Sequence, residues 1–187
     1  LRMHQSLTDT GIDLGCIAQC SLPKTPPWLL RRPNFNYTLY SLGNKSDTSP
    51  DLYLSYYKEL VSKYQGYKKV FTDGSKKGSA VSAAAVTKGT VLVSRLPDHA
   101  SIFSAESRAV LHALNIIEQS SGKLFLILSD SLSCLKAIEN RKVQNPLILE
   151  ILEFLHQLLR LDYCITFVWV PSHIGIACNM AADATAK

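Results

Sequence analysis

The sequence predicts an α/β fold with a five-stranded mixed sheet, in which three antiparallel strands precede two parallel strands and helices cover both faces. Three observations lead to this prediction. After residue 67, segments with the two-residue period of strands alternate with segments of helical period, in the order strand, strand, strand, helix, strand, helix, helix, strand, helix. The fourth strand segment is almost continuously apolar, which is typical of a strand covered on both faces. Hydrophobic residues make up 47% of the chain, enough for a sizeable core.

The first third of the chain differs in composition from the rest, and we interpret residues 1–67 as a connector. Four of its five prolines lie between 23 and 33, and seven of the eight tyrosines of the chain lie between 37 and 67. Proline-rich segments of this kind rarely build regular elements. Residues 1–49 are therefore predicted to be extended, with little regular structure.

A short helix is predicted at 51–64, near the end of the connector, with Asp51 as its cap. The tyrosines of this region alternate with lysines, a pattern that suits stacking on a polynucleotide as well as packing against the following domain. Packing is the favoured interpretation of the two. The helical period places on one face the side chains of Leu52, Tyr56, Leu60 and Tyr64.

Three antiparallel strands are predicted to open a domain that spans 68–187. The first strand ends in a turn at Asp73-Gly74, and the second and third are joined by a short hairpin turn at Lys88-Gly89. The alternation of apolar residues places these strands at 68–73, 80–87 and 90–96.

The rest of this domain is predicted to contain four helices and two strands. His112 shares the apolar stripe of the first of these helices and is interpreted as a packed histidine, and Gly122 follows the helix as a C-cap would. The helices are predicted at 104–120, at 131–140, at 146–161 and from Asn179 onward. The strands are predicted at 123–129 and 163–170.

Four carboxylates follow the strands or lie on the helices of this pattern. Asp73 and Asp130 end the first and fourth strands, Glu106 lies one turn into a helix, and Asp183 lies on the final helix. Ligands of open sheets bind at the carboxyl ends of strands, so neighbouring first and fourth strands would gather all four acids. Such a cluster of like charges is tolerable only with divalent cations. Oxygen ligands suit Mg²⁺ or Mn²⁺ and argue against zinc.

Each acid also has a simpler structural interpretation. Asp73 would suit a turn, Asp130 would suit a helix cap, and Glu106 would interact favourably with the helix dipole. Asp183 has the spacing for a surface ion pair with Lys187. Metal binding is favoured because all four positions converge on one edge of one sheet.

The loop histidine His173 differs from the other histidines of the chain in its position. It follows a strand exit with a rigid turn at Pro171, and it precedes Asp183 by ten residues, so the loop can reach the acidic cluster. Gly175 supplies conformational freedom in that loop. An imidazole there can transfer a proton to a leaving oxygen or assist product release.

The motifs FTDGS, AES, SDS and WVPSHIGIACNMAAD, in this order, resemble the type 1 ribonuclease H domain, especially the version in the polyproteins of non-LTR retrotransposons. The resemblance covers residues 68–187. It implies a ribonuclease H-like fold, with His173 as a mobile catalytic histidine. It also implies catalytic and metal-binding roles for Asp73, Glu106, Asp130 and Asp183.

The resemblance implies an endonuclease that hydrolyses the RNA strand of RNA/DNA hybrids with two Mg²⁺ ions, Mn²⁺ being possible. A reverse transcriptase domain is then expected on the N-terminal side of the same polyprotein, and the PPW sequence at 26–28 supports this. Two alternatives stay open. One is a catalytically inactive module of the same fold that binds nucleic acid or acts as a scaffold, and the other is a different nuclease such as a transposase or exonuclease.

Substrate contacts are expected from Ser75, Ser101 and Asn179. Three departures from the family pattern bear on them. The polar and amide residues that precede the glutamate in cellular enzymes are not matched here, Cys178 replaces a glycine, and no basic protrusion is visible between 131 and 161. The domain is also expected to be truncated at its C-terminus.

Net charge and cysteine content indicate which partners and which cellular location suit the protein. The net charge is +5 at pH 7, which is compatible with nucleic acid. Five cysteines form no regular disulfide framework, which indicates reduced thiols and an intracellular location, nuclear or cytoplasmic.

The longest apolar run, at 124–128, is too short to span a membrane, and the first 20 residues lack the apolar region of a secretory signal. A monomeric fragment is expected.

Overall fold

The computed structural model describes residues 25–43, 49–140, 142 and 144–172. Within these residues the strands are β1 (Asn34–Asn36), β2 (Lys68–Lys77), β3 (Ala80–Val86), β4 (Val91–Leu96), β5 (Leu124–Ser129) and β6 (Cys164–Trp169). The α-helices are α1 (Pro50–Ser62), α2 (Ile102–Gln119), α3 (Leu132–Glu139) and α4 (Pro146–Arg160). From residue 68 to residue 172 the order of strands and helices is the predicted one. The final helix predicted from Asn179 lies outside the described residues.

All six strands form one mixed sheet in the order β1-β6-β5-β2-β3-β4. The pairs β2/β3 and β3/β4 are antiparallel, whereas β2, β5, β6 and β1 run parallel. The α/β prediction is confirmed, but the strand count of five was wrong. The sixth strand is β1, in the stretch predicted to have little regular structure. Its three residues are too few for a periodic signal, and pairing with β6 makes them a strand.

Two apolar clusters cover the two faces of the sheet, as predicted. One packs α2, α3 and α4 against side chains such as Val70, Ile127 and Phe167. The other packs α1 and the segment before it against Phe71 and Leu128. Strand β5, the fourth strand predicted from the sequence, is buried on both faces as predicted, since residues 125–128 are at most 1% exposed.

The first helix buries a different face from the predicted one. Tyr53, Tyr57 and Leu60 are buried, whereas Leu52 and Tyr56 are 47% and 39% exposed. Both stripes fit a helical period, so only the position of the sheet decides between them. Packing of tyrosines in the core is nevertheless confirmed.

Ser49 rather than Asp51 caps this helix, because the Ser49 side chain accepts a hydrogen bond from the backbone N–H of Leu52. The preference of Pro50 for the first position of a helix explains the earlier start.

Strand β2, the first strand predicted from the sequence, continues through the predicted turn at Asp73-Gly74. Gly74 pairs with Ala83, and the ladder extends to Lys77 opposite Ala80. The reversal occurs at Gly78, whose φ of +60° suits the turn. The antiparallel partner therefore overrides the local turn preference of Asp-Gly.

The other predicted elements after residue 67 begin and end within about two residues of the observed ones, the usual uncertainty of element ends. Thr87 donates from its backbone N–H to the carbonyl of Thr90 across the predicted hairpin turn. His112 is packed as predicted, with its Nε2 2.7 Å from the Ser94 hydroxyl. Among the described residues, no helix has both the length and the apolarity that a membrane span requires.

Candidate metal centre

Strand pairing places Asp73 and Asp130 side by side. In the parallel pair β2/β5, Thr72 lies opposite Ser129, and each acid is the next residue along its strand. The main chain of Asp130 is held by the indole N–H of Trp169, which donates to the Asp130 carbonyl at 3.0 Å. Strand pairing and this hydrogen bond therefore position the main chain of both acids at the carboxyl end of β5.

Helix α2 brings Glu106 to the same edge. The helix begins after Ser101, whose hydroxyl accepts a hydrogen bond from the backbone N–H of Ser104 at 3.0 Å. Its main chain then passes against Gly74, where an added Cβ would lie 2.6 Å from the Glu106 nitrogen and 2.9 Å from the Ala105 carbonyl carbon. The backbone of Gly74 hydrogen-bonds to the Glu106 carboxylate. Gly74 thus serves the close approach of helix and strand.

The three carboxylates form a group in which one oxygen of each lies within 4.8 Å of the others. Asp73 and Glu106 are each only 8% exposed. Within the described part of the chain, Glu106 Oε2 is buried without a hydrogen-bond partner. Burial, followed by the nearby charges of Asp130 and Asp73, raises the pKa of Glu106 to about 9. An orphaned buried oxygen among three acids is what a divalent cation would satisfy, so these residues fit the predicted Mg²⁺ or Mn²⁺.

Without metal, Glu106 is expected to make folding stability fall as pH rises. The folded protein holds a proton on Glu106 up to a pKa of about 9, compared with an ordinary 4.5. Its stabilising contribution is complete below the ordinary pKa and is lost as pH rises through the folded value. Glu106→Gln removes this dependence and should raise the free energy of unfolding by about 1–3 kcal/mol at pH 9.

Urea unfolding in EDTA at pH 5, 7 and 9 measures this difference. The control is Glu118→Gln, which alters an exposed acid on the same helix. Addition of Mg²⁺ should stabilise the wild type and leave the Glu106 variant unchanged. Parallel pH profiles for wild type and Glu106→Gln would contradict the prediction.

Several simpler interpretations of the acids do not hold in the structure. Asp73 lies within a strand instead of a turn, and Ser131 takes the N-cap position that Asp130 was considered for. The first turn of α2 contains no acidic residue, so the position of Glu106 is not explained by first-turn dipole stabilisation.

The structure leaves the remaining predicted site residues as predictions. His173, Asn179 and Asp183 lie outside the described residues. Ser75 lies half-buried on β2 opposite Ser82, close in sequence to Asp73. Ser101 caps α2, a structural role beside the predicted contact with substrate.

Sequence reasoning missed two residues that organise the centre. Gly74 was read as a turn residue, although a glycine inside a strand also indicates a close backbone approach. The sequence predicts Trp169 only as part of a strand and its exit, whereas its hydrogen bond to Asp130 joins residues 39 positions apart. No local pattern signals a contact of that range.

Comparison with known proteins agrees with this geometry. The model of the RNase H family matches residues 65–187, which includes all three clustered acids. A search of curated proteins finds no match to the chain. The matching region covers about two thirds of the sequence, and its acidic cluster lies at a mixed sheet. The chain therefore belongs to the RNase H family.

Proposed function

We propose that the protein is a metal-dependent endonuclease that hydrolyses the RNA strand of RNA/DNA hybrids with two divalent cations, Mg²⁺ or Mn²⁺. The observation that carries this proposal is the cluster of Asp73, Glu106 and Asp130 within an RNase H domain, in which one buried oxygen of Glu106 has no hydrogen-bond partner among the residues that the structure describes. Such a cluster is costly for folding and is explained by a function that needs concentrated negative charge.

The three clustered acids would hold the cations, with Asp183 as a further ligand. When bound, divalent cations activate a water molecule and neutralise negative charge on the leaving oxygen. His173 is proposed to move a proton at that leaving oxygen.

The residues around the acids determine how well the carboxylates are oriented to bind cations. Glu106 has to release its proton before it can ligate a cation, and the backbone of Gly74 holds the resulting carboxylate. Trp169 fixes the main chain at Asp130. These contacts orient ligands before substrate arrives, which lowers the cost of reorganisation during the reaction.

The proposed substrate and context derive from the family resemblance. The 2′-hydroxyl is the group by which such an enzyme distinguishes RNA from DNA. Ser75, Ser101 and Asn179 are the proposed contacts. The proposed context is an intracellular retrotransposon polyprotein with a reverse transcriptase domain before the connector, and the isolated chain is proposed to be a monomer.

A panel of labelled duplexes tests the proposal. We expect Mg²⁺-dependent cleavage of the RNA strand in an RNA/DNA hybrid and at least about 100-fold slower cleavage of a DNA/DNA duplex of the same sequence, because a site that recognises the 2′-hydroxyl rejects an analogue that lacks it. Products should carry 5′-phosphate and 3′-hydroxyl ends. Hybrid binding without cleavage would favour an inactive module, and equal cleavage of DNA would favour a different nuclease.

A further inference from the structure

An exposed tyrosine of the N-terminal segment contacts Trp169, the residue whose indole N–H bonds the main chain of Asp130. Tyr40 begins a short 3₁₀ helix (Tyr40–Leu42), and its side chain is 52% exposed. Its ring meets the Trp169 ring edge-on, with centroids 5.4 Å apart. Trp169 in turn donates to the Asp130 carbonyl at 3.0 Å. One aromatic ring therefore separates Tyr40 from the main chain of a proposed metal ligand.

The sheet explains why a residue so early in the chain reaches this place. Strand β1 runs parallel to β6 with Asn36 opposite Val168, and β6 runs parallel to β5 with Trp169 opposite Ser129. The chain therefore leaves β1 at the same end of the sheet at which Asp130 follows β5. Tyr40 follows four residues after this exit.

The backbone that carries Tyr40 is anchored on both sides. Leu39 is fully buried in the apolar cluster that packs α1 against the sheet. The Tyr40 backbone N–H donates to the Tyr37 carbonyl at 2.9 Å, and the Tyr53 hydroxyl donates to the Gly43 carbonyl at 3.0 Å. The main chain on both sides of Tyr40 is thus held in place, while the residue itself is exposed.

The chemistry of this ring suits a nucleotide. An aromatic face held in one orientation binds a base or a sugar by stacking, and it does so at little cost in conformational entropy. The Tyr40 hydroxyl has no hydrogen-bond partner among the described residues, so it is available to a sugar or phosphate oxygen. Tyr56 is also exposed, but no ring contact or hydrogen bond in the described part of the chain joins it to Trp169 or Asp130.

We propose that Tyr40 is a substrate-binding residue that packs against a nucleotide of the RNA/DNA hybrid beside the metal centre. This inference rests on the proposed function and extends it to a segment outside the family match, which begins at residue 65. The N-terminal segment is then part of the nucleic-acid interface as well as of the core.

Three substitutions test the proposal. Tyr40→Ala removes the ring, Tyr40→Leu keeps an apolar contact to Trp169 without a face for stacking, and Tyr40→Phe keeps the ring. The control Tyr56→Ala removes a tyrosine that is 39% exposed on α1. Hybrid affinity is measured by fluorescence anisotropy in an Asp73→Asn background, which prevents cleavage, and cleavage kinetics and Mg²⁺ affinity are measured without that change.

We expect the Ala and Leu variants to raise Kd and KM for hybrid about tenfold, as loss of one stacked base does, with kcat and Mg²⁺ affinity within about twofold of wild type. The Phe variant and the control should stay within about threefold of wild-type Kd. Unchanged Kd and KM in the Ala and Leu variants would overturn the inference. So would lowered kcat and Mg²⁺ affinity with unchanged Kd, since Tyr40 would then only support Trp169.

The same experiment separates this inference from the proposed function. A wild type that binds hybrid through Tyr40 but cleaves nothing would support the inference and refute the nuclease activity. A wild type that cleaves hybrid while all Tyr40 variants behave normally would refute the inference and support the activity. A wild type that binds no hybrid in Mg²⁺ would refute the inference.

Discussion

Asp130→Asn is expected to lower the Mg²⁺-dependent cleavage of RNA/DNA hybrid by at least about 10³-fold. The change removes one negative charge from the group of three carboxylates while keeping the shape of the side chain. A bound cation supplies several kcal/mol of charge stabilisation in a transition state, and about 4 kcal/mol corresponds to a thousandfold in rate. The initial rate of cleavage of labelled hybrid under single-turnover conditions measures the effect.

A matched control is Asp162→Asn. Asp162 is an exposed turn residue just before β6, at the opposite end of that strand from Trp169. Its φ of 61° suits asparagine as well as aspartate. Wild-type rates are expected for this variant, and unfolding curves of both variants exclude a loss of fold. A rate for Asp130→Asn within tenfold of wild type would refute the assigned role.

Gly74→Ala is expected to displace α2 and weaken the metal centre without removing any ligand. The φ of Gly74 is not positive, so the backbone itself tolerates alanine, but the new Cβ would lie 2.6 Å from the Glu106 nitrogen. Backbone atoms cannot turn aside as a flexible side chain can. Overpacking of this kind costs about 1–3 kcal/mol of stability, and a shift of about 1 Å in a catalytic group costs about 10²-fold in rate.

Gly89→Ala is the matched control for this substitution. A Cβ at Gly89 meets no atom within 4 Å, and its φ is not positive either. Urea unfolding, Mg²⁺ titration and hybrid cleavage should all be altered in Gly74→Ala and normal in Gly89→Ala. If Gly74→Ala bound Mg²⁺ and cleaved hybrid as the wild type does, helix and strand would not need this contact.

Local patterns predicted the order of strands and helices because each depends on neighbouring residues. The apolar run of β5 and the amphipathic pattern of α4 each occupy a single stretch of sequence. The acids were found in the same way, since Asp73, Glu106 and Asp130 each occur at a recognisable point of an element. Asp73 and Asp130 converge because β2 and β5 are adjacent, and Glu106 joins them because α2 packs against Gly74.

Errors arose where two local solutions had similar energies. The first helix presents two apolar stripes, and the sheet buries the one with Tyr53 and Tyr57. Asp-Gly suits a turn, but pairing of Gly74 with Ala83 extends the strand instead. In each case burial or pairing with a residue distant in the chain outweighed a local structural preference worth less than about 1 kcal/mol.

The sequence by itself determined the α/β class, the order of elements after residue 67 and the identity of three clustered acids. Only the tertiary structure decided that Asn34–Asn36 is a sixth strand, that Gly74 is a contact point for α2, and that Tyr40 stands beside Trp169. It also decided the raised pKa of Glu106, because desolvation depends on every group packed around the carboxyl. The physical reason is range: periodicity acts between near neighbours, whereas edge pairing, close approach and burial join residues far apart in the chain.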